Sequence, residues 1–168
     1  MPQTTLRGNP VTLSGTFPKV GDSAPDFNLT GIDMAPITKQ SLAGKKKVIV
    51  TLPSLDTPVC QVETRKFNEQ AAALGDNVVV VIASADLPFA AKRFCTTEGL
   101  ERVKSGSDLR DRDFGKRWGV AIADGPLQGV TARAVFVVDE HDKVKYAELV
   151  PEIAQEPNYA AALAALKG

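Results

Sequence analysis

Two apolar runs flank a segment with helical periodicity, and this arrangement restricts the chain to a small set of folds. Residues 47–52 and 77–83 are rich in valine and isoleucine, as expected for strands that are buried on both faces. Between these runs, apolar or small residues recur every third or fourth position on one helical face: Cys60, Thr64, Phe67, Ala71 and Leu74. Gly75 fits the left-handed position that ends a helix. The sequence therefore predicts a strand, a helix and a strand that form a βαβ unit.

The remaining segments predict a mixed α/β sandwich, with a central mixed β-sheet flanked by helices and an N-terminal β-hairpin. The hairpin comprises residues 3–7 and 11–16, with Gly8-Asn9-Pro10 as its turn. A second helix begins with Asp86 as its N-cap and carries Cys95. The other predicted elements are a short strand at 26–30, a helix at 111–118, a hairpin of residues 133–138 and 144–150, and a helix at 158–166.

The composition indicates a single domain, residues 1–168, without nucleic-acid or membrane partners. The chain has 168 residues, 43% of them hydrophobic, which is enough to bury a core without disulfide bonds. Lys plus Arg and Asp plus Glu number 20 each, so there is no basic excess for binding nucleic acid or anionic lipid. No signal peptide or apolar membrane span is recognisable. We therefore expect a cytoplasmic protein, in which paired cysteines are more often catalytic or redox-sensing than structural.

Cys60 lies at the start of the first predicted helix, directly after a run that contains Pro53 and Pro58. The first backbone N–H groups of a helix have no intrahelical partner and carry partial positive charge. They favour a thiolate over a thiol, and the thiolate is the nucleophilic form of cysteine. The sequence therefore predicts a reactive sulfur on the buried side of the helix.

Three other kinds of cysteine site need partner residues that this chain does not have in the required number or spacing. A cysteine hydrolase needs a histidine base, and the single histidine, His141, falls in a predicted turn where a polar residue needs no special explanation. A closed zinc site needs four Cys or His ligands, and the chain has two cysteines and one histidine, so we expect no metal. A thioredoxin-type site needs two cysteines separated by two residues, whereas Cys60 and Cys95 are 35 positions apart.

Peroxide reduction needs fewer residues. The thiolate attacks one oxygen, the O–O bond breaks, and the departing oxygen needs hydrogen-bond donors or positive charge. Thr57 offers a hydroxyl near the helix start, and Arg133 offers a guanidinium from the start of an apolar strand. Pro53 and Pro58 stiffen the loop and screen the sulfur. By spacing alone, a plain helix cap at Thr57, a surface arginine at position 133 and an inert buried thiol at Cys60 stay open.

The pattern PxxxTxxC, formed by Pro53, Thr57 and Cys60, resembles the active-site signature of the peroxiredoxins. Further stretches resemble the atypical two-cysteine subfamily of bacterial thiol peroxidases: residues 84–90, 93–95, 119–127 and 132–135. The resemblance covers nearly the whole chain and is weakest at residues 101–113.

This resemblance implies a thioredoxin-like fold with an added N-terminal hairpin. It implies that Cys60 is the peroxidatic cysteine and Cys95 the resolving cysteine, joined during the cycle by an intramolecular disulfide. Thr57 and Arg133 would bind and activate the peroxide, and Pro53 would shield the pocket. Thioredoxin as reductant, alkyl hydroperoxides and hydrogen peroxide as substrates, a homodimer and the absence of a cofactor are further implications.

A disulfide between the two cysteines requires local unwinding, because its Cα atoms must lie within about 7 Å and two helices hold them apart. The Thr96-Thr97-Glu98-Gly99 stretch after Cys95 is the expected soft point. Three alternatives stay open at this level: a sensor that signals through the same disulfide, a permanent structural disulfide, and a protein that exchanges disulfides with other proteins.

Overall fold

A computed structural model describes residues 3–167, in which seven strands form one sheet and two pairs of strands lie beside it. The strands are β1 (Thr4–Leu6), β2 (Asn9–Val11), β3 (Leu13–Ser14), β4 (Asn28–Gly31), β5 (Pro36–Thr38), β6 (Lys46–Thr51), β7 (Val78–Ser84), β8 (Val103–Ser107), β9 (Ala121–Ile122), β10 (Ala134–Val138) and β11 (Val144–Leu149). The helices are α1 (Pro58–Leu74), α2 (Pro88–Glu98), α3 (Phe114–Arg117) and α4 (Tyr159–Ala165). The sheet order is β11-β10-β6-β7-β8-β4-β5, and the smaller pairs are β1-β2 and β3-β9.

The centre of the large sheet is parallel and its flanks are antiparallel. β6, β7 and β8 run parallel, connected by α1 and then α2. Both helices pack with α4 on one face, against Val48 and Val50 of β6. Ile49 points to the opposite face, where Phe114 and Trp118 are buried, because side chains alternate along a strand. The predicted βαβ unit and the mixed α/β sandwich are therefore confirmed.

The stripe predicted for α1 is buried along its length, but the end of the helix differs from the prediction. Phe67 and Ala71 are buried and Leu74 is half-buried. Gly75 has φ +83° and ψ −176°, which is not the left-handed helical conformation. The chain leaves the helix in an extended direction instead, because β7 begins only three residues later, at Val78.

The N-terminal hairpin turns earlier than the sequence suggests. Leu6 pairs with Asn9, which leaves Arg7 and Gly8 as a two-residue turn, both with positive φ. Such a turn matches the twist of the paired strands, so the predicted turn at Gly8-Asn9-Pro10 is wrong. Pro10 lies within β2, which is an edge strand where a missing N–H is tolerated. The next residues form β3, which pairs with β9 rather than with β1.

The start of α2 also differs from the prediction. Leu87 is the N-cap and Pro88 is the first helical residue, so Asp86 does not cap the helix. The Asp86 carboxylate accepts hydrogen bonds from Ser54 and Leu55 instead. These two residues belong to the loop before α1, and their donors occupy the oxygens that a cap would need.

Other boundaries follow from contacts between distant segments. The helix predicted at 111–118 is reduced to the single turn α3, because the Asp111 carboxylate binds the Asn28 N–H and the Arg117 guanidinium.

The sequence does not predict β5, β8 or β9. In β8, a Cβ at Gly106 would lie 2.8 Å from Leu29 Cβ. The close packing requires a glycine at this position, and glycine is not typical of a strand sequence. The strand at 26–30, the hairpin at 133–150 and the C-terminal helix are confirmed as β4, β10 with β11, and α4. Within residues 3–167, no helix has both the length and the apolar character that a bilayer crossing requires.

Candidate active site

Cys60 is the third residue of α1 and is fully buried. Pro58, the first helical residue, has no N–H, and the first helical hydrogen bond runs from Gln61 N to Thr57 O at 3.0 Å. The N–H groups of Val59 and Cys60 therefore have no acceptor within the helix, and their partial positive charge lies at the turn that carries the sulfur. The placement of Cys60 at a helix N-terminus is confirmed.

The loop before α1 holds Thr57 and Pro53 in fixed positions. Thr57 occupies the N-cap, but its hydroxyl makes no capping hydrogen bond. Its Oγ1 donates instead to the carbonyl oxygen of Ser54 at 3.1 Å. Pro53 is buried in the same loop. The alternative that Thr57 is a plain helix cap is therefore wrong, and its side chain is oriented by the loop.

Arg133 connects the start of β10 to the first turns of α1. Only 2% of the residue is exposed, so it is not a surface arginine. Its Nε donates to Ile153 O at 2.7 Å, and its Nη1 donates to Glu63 Oε2 at 3.3 Å. Glu63 follows Cys60 by three positions, a spacing that places two side chains on neighbouring parts of one helical face. The ion pair thereby holds the guanidinium one helical turn from the cysteine.

The Glu63 carboxyl group is unusual for a partner of arginine. It is fully buried, and its Oε1 has no hydrogen-bond partner among the described residues. Burial raises the pKa of Glu63 to about 8, although the Arg133 charge and hydrogen bond act in the opposite direction. The Arg133 guanidinium therefore lies beside a carboxyl whose ionised form is disfavoured by burial and favoured by the arginine itself.

Cys95 has a different environment. It lies near the end of α2, is 6% exposed and contacts the Ser105 hydroxyl, with 3.3 Å between Sγ and Oγ. Burial raises the pKa of the Cys95 thiol, and the Ser105 contact opposes this only in part. Leu100 N donates to the Cys95 carbonyl at 2.8 Å, and Gly99 N donates to the Thr96 carbonyl at 3.3 Å. These two bonds form a complete Schellman cap.

The two cysteines lie in the same apolar cluster on neighbouring helices, and both thiols are free. Cys60 is the third residue of α1, whereas Cys95 is the eighth of α2. Cys60 therefore lies in the first turn of its helix and Cys95 near the end of its own. The structure thus groups Cys60 with Thr57, Pro53 and the Arg133 ion pair, and it holds Cys95 apart on the next helix.

Two residues of this region are absent from the site predicted by sequence. Glu63 could have been found from its spacing, because a residue three positions after Cys60 must lie beside it on a helix. Asp86 could not, since its contacts with the loop before α1 join residues more than 30 positions apart. His141 is confirmed as a turn residue, with 80% of its side chain exposed.

Comparisons with known proteins agree with this geometry. The Redoxin family model matches residues 19–163. A thiol peroxidase of Leptospira interrogans is 52% identical over 167 residues, which cover 98% of this chain and 97% of the relative. A thiol peroxidase of Mycobacterium tuberculosis is 53% identical over 166 residues, which cover 99% of each protein. A crystal structure of a peroxiredoxin-like protein from Aquifex aeolicus superimposes with a TM-score of 0.92 at 46% identity, covering 98% of this chain and 95% of that one. The thioredoxin-like fold and the resemblance to peroxiredoxins are confirmed, and the chain belongs to the Redoxin family.

Proposed function

We propose that this chain is a thiol-dependent peroxidase that reduces alkyl hydroperoxides and hydrogen peroxide. The observation that carries the proposal is the buried guanidinium of Arg133, one helical turn from a cysteine at a helix N-terminus. Two positive influences, the helix N–H groups and the guanidinium, then act on one sulfur. The relatives named thiol peroxidase, more than half identical over nearly the whole chain, support the same reaction.

In the first step, the Cys60 thiolate attacks one oxygen of ROOH. A sulfur–oxygen bond forms, the O–O bond breaks, and the departing alkoxide takes up a proton to leave as ROH. Arg133 stabilises the thiolate and the charge that develops on the departing oxygen. The Thr57 hydroxyl already donates to Ser54 O, so its oxygen lone pairs can accept the hydrogen bond of a hydroperoxide O–H. Pro53 contributes by keeping water from the buried sulfur.

In the second step, the Cys95 thiol condenses with the Cys60 sulfenic acid to give an intramolecular disulfide and water. Cys60 lies in the first turn of α1 and Cys95 near the end of α2, whereas a disulfide requires the two Cα atoms to lie within about 7 Å. We therefore expect part of α2 to unwind. The Schellman cap at Gly99 opposes unwinding at the C-terminal end, so the expected soft point at residues 96–99 is a capped helix end in the resting enzyme.

We further propose that thioredoxin restores both thiols by disulfide exchange. The chain would act as a single domain, as a homodimer and in the reducing cytoplasm, without a metal or other cofactor. Each of these points extends the peroxidase assignment by the resemblance to peroxiredoxins, and each is open to direct measurement.

Intact mass spectrometry after one equivalent of cumene hydroperoxide tests the scheme. The wild-type mass should fall by two hydrogens, the Cys95→Ser variant should gain one oxygen, and the Cys60→Ser variant should stay unchanged. Repeated consumption of peroxide with thioredoxin and thioredoxin reductase separates an enzyme from a sensor, which oxidises once and stops. An unchanged wild-type mass, or multiple turnovers by the Cys95→Ser variant with thioredoxin alone, would contradict the proposal.

A further inference from the structure

The Asp86 carboxylate joins two segments that are distant in sequence. Oδ1 accepts from the Ser54 hydroxyl at 2.7 Å, and Oδ2 accepts from Leu55 N and from the Ser84 hydroxyl, each at 2.8 Å. Ser84 ends β7 and Asp86 lies two residues before α2, whereas Ser54 and Leu55 belong to the loop that leads to α1. Hydrogen bonds to a charged acceptor are among the stronger ones in proteins. One side chain therefore fastens the loop before α1 to the base of α2.

The same contacts reach Thr57 through Ser54. The Ser54 hydroxyl donates to Asp86, and the Ser54 carbonyl accepts from both the N–H and the hydroxyl of Thr57, at 3.3 Å and 3.1 Å. Ser54 Oγ also accepts from Asp56 N at 3.1 Å. The position of the Thr57 hydroxyl, three residues before the buried sulfur of Cys60, is thus determined by a chain of hydrogen bonds that ends on Asp86.

Apart from this link, the base of α2 is held by two small buried side chains, Pro88 and Ala91. Its N-cap, Leu87, makes no side-chain capping bond. Leu87 and Phe89 are 53% and 70% exposed, so the first turn of α2 buries little of its largest apolar side chains. The C-terminal end, by contrast, is closed by the bonds from Gly99 and Leu100. The link through Asp86 is therefore a polar restraint, added to this packing, on the N-terminal end of the helix that carries Cys95.

From these contacts we propose that Asp86 is a positioning residue that couples the two steps of the cycle. While α2 is docked, Asp86 holds the loop of residues 53–57 so that Thr57 faces the substrate of Cys60. When α2 unwinds to deliver Cys95, the same carboxylate releases the loop. This inference rests on the proposed peroxidase function. It implies that Asp86 orders the peroxide-binding loop only while α2 is folded, so that the protein does not bind peroxide and deliver Cys95 at the same time.

The coupling has a consequence for overoxidation. The Cys60 sulfenic acid has two fates: it condenses with the Cys95 thiol and releases water, or it reacts with a second ROOH to give sulfinic acid and ROH. The first requires unwinding and the second requires the assembled site. A weaker link at Asp86 should therefore slow the reactions with peroxide and should not slow disulfide formation.

The test uses four variants of the full chain. Asp86→Ala removes the acceptor. Asp86→Asn keeps one acceptor oxygen, which can still serve Leu55 N and Ser84, and its amide can donate to Ser54. Ser54→Ala removes one of the three contacts of Asp86, together with the bond from Asp56 N to the Ser54 hydroxyl. It covers the case in which Asp86→Ala folds poorly, with near-ultraviolet circular dichroism of the buried Trp118 as the check on folding. Asp56→Asn is the matched control, because this exposed carboxyl lies in the same loop and accepts no hydrogen bond among the described residues.

Stopped-flow measurements should follow the peroxide step and the disulfide step separately. For Asp86→Ala we expect the peroxide step to slow about tenfold, a loss comparable to one hydrogen bond to a charged group. The disulfide step should keep its rate or accelerate, and the ratio of disulfide to sulfinic acid at fixed peroxide should rise several-fold. Ser54→Ala and Asp86→Asn should show smaller changes of the same sign, and Asp56→Asn should match the wild type.

Three results would overturn the inference. Wild-type kinetics in Asp86→Ala would show that the contacts have no role in either step. Parallel slowing of both steps in the folded variant would mark a general structural role. A faster peroxide step would show that the contacts limit substrate entry to the buried sulfur rather than orient Thr57. Failure of the proposed function is distinguishable, because the wild-type protein itself would then form neither sulfenic acid nor disulfide.

Discussion

The surroundings of Cys60 and of Cys95 differ in the sign of the charge that each helix end presents. Cys60 lies in the first turn of α1, where unpaired N–H groups carry partial positive charge, with Arg133 one turn away. Cys95 lies in the last turns of α2, where the backbone carbonyls carry partial negative charge, and no arginine or lysine contact to it is present among the described residues. Its pKa is raised by burial. Positive charge therefore lies on the side of Cys60, whereas burial favours the neutral form of the Cys95 thiol.

This contrast suggests a division of labour between two otherwise similar buried cysteines. A nucleophile must be ionised before substrate arrives, whereas a resolving thiol needs to react only after its helix has moved. Keeping Cys95 neutral in the folded state prevents it from competing for peroxide, because the thiolate is the reactive form. Unwinding of α2 removes the burial that raises its pKa.

Replacing Arg133 should produce the largest change. For Arg133→Met we expect the rate constant of the peroxide step to fall about 10²- to 10³-fold, the usual loss when a donor to a developing anion is removed. Burial raises the pKa of Glu63, and loss of the Arg133 charge raises it further, so the carboxyl of the variant takes up a proton rather than staying as an unpaired buried charge, and the protein should still fold. Stopped-flow fluorescence of Trp118 can follow the reaction. Arg93→Met, which changes an exposed arginine of α2, is the control and should react like the wild type.

If Arg133→Met reduced peroxide at the wild-type rate, the proposed contribution of the guanidinium to the reactivity of Cys60 would be wrong. The ion pair with Glu63 would then serve only to join β10 to α1, and the helix N–H groups alone would have to account for the reactivity of Cys60.

Glu63 predicts a stability that depends on pH. Its pKa is about 8 in the folded protein and about 4.5 in the unfolded chain. Below both pKa values the Glu63 carboxyl is protonated in the folded and in the unfolded chain. Between the two pKa values the unfolded chain has lost a proton that the folded protein keeps. The free energy of unfolding therefore falls as pH rises through this range. Glu63→Gln removes this titration. We expect similar stability at pH 5 and a more stable Gln variant at pH 8, by up to a few kcal/mol, measured by urea unfolding.

Glu69→Gln provides the matched control, because Glu69 is an exposed carboxyl of the same helix; its difference from the wild type should not change with pH. A constant difference for Glu63→Gln as well would mean that Arg133 keeps Glu63 ionised throughout. The guanidinium charge would then be compensated, and the electrostatic contrast between the two cysteines would rest on the helix ends.

The sequence predicts the parts of this contrast that depend on local pattern. The buried strand before Cys60, the helical stripe after it and the second helix with Cys95 all follow from side-chain periodicity over a few residues. Thr57 and Arg133 follow from the chemistry that a peroxide requires and from the resemblance to peroxiredoxins. The structure places Thr57 at the N-cap of α1 and Arg133 beside Glu63, and their roles toward peroxide stay predictions.

The parts that the sequence does not predict depend on contacts between distant segments. Asp86 has the residue type and position of an N-cap, yet its oxygens serve the loop at Ser54 and Leu55. The pKa of Glu63 results from burial beneath the sheet and is not marked by any local pattern. β8 escapes prediction because Gly106 packs closely on Leu29. In each case a tertiary contact overrides a local preference.

Loosening the end of α2 should affect Cys95 alone. Gly99 has φ +66° with open space around its missing Cβ, so Gly99→Ala adds backbone strain of about 1 kcal/mol without a clash. If unwinding of α2 limits disulfide formation, that step should accelerate about fivefold, with an unchanged peroxide step. Stopped-flow kinetics and hydrogen exchange of the α2 amides measure the two effects. Gly75→Ala, at the end of α1 and also in open space, should cost at least as much stability and leave the disulfide step unchanged.

An unaltered disulfide rate in Gly99→Ala, together with faster hydrogen exchange in α2, would show that the C-terminal end is not the part that must open. The restraint at the other end of the helix, next to Asp86, would then control the delivery of Cys95.

The smallest effect should come from Ser105. Its hydroxyl contacts the Cys95 sulfur and lowers a thiol pKa that burial has raised, so Ser105→Ala should raise this pKa further. The measurement is the pH dependence of alkylation in a Cys60→Ser background, where Cys95 is the only thiol. In Ser105→Ala the alkylation profile should shift to higher pH under native conditions, and the shift should vanish in urea, because the contact exists only while α2 is docked. An unchanged alkylation profile under native conditions would mean that Cys95 reacts only from the unwound helix, where Ser105 no longer contacts it. The difference between the two cysteines would then lie in the motion of α2 rather than in the charge around the sulfur.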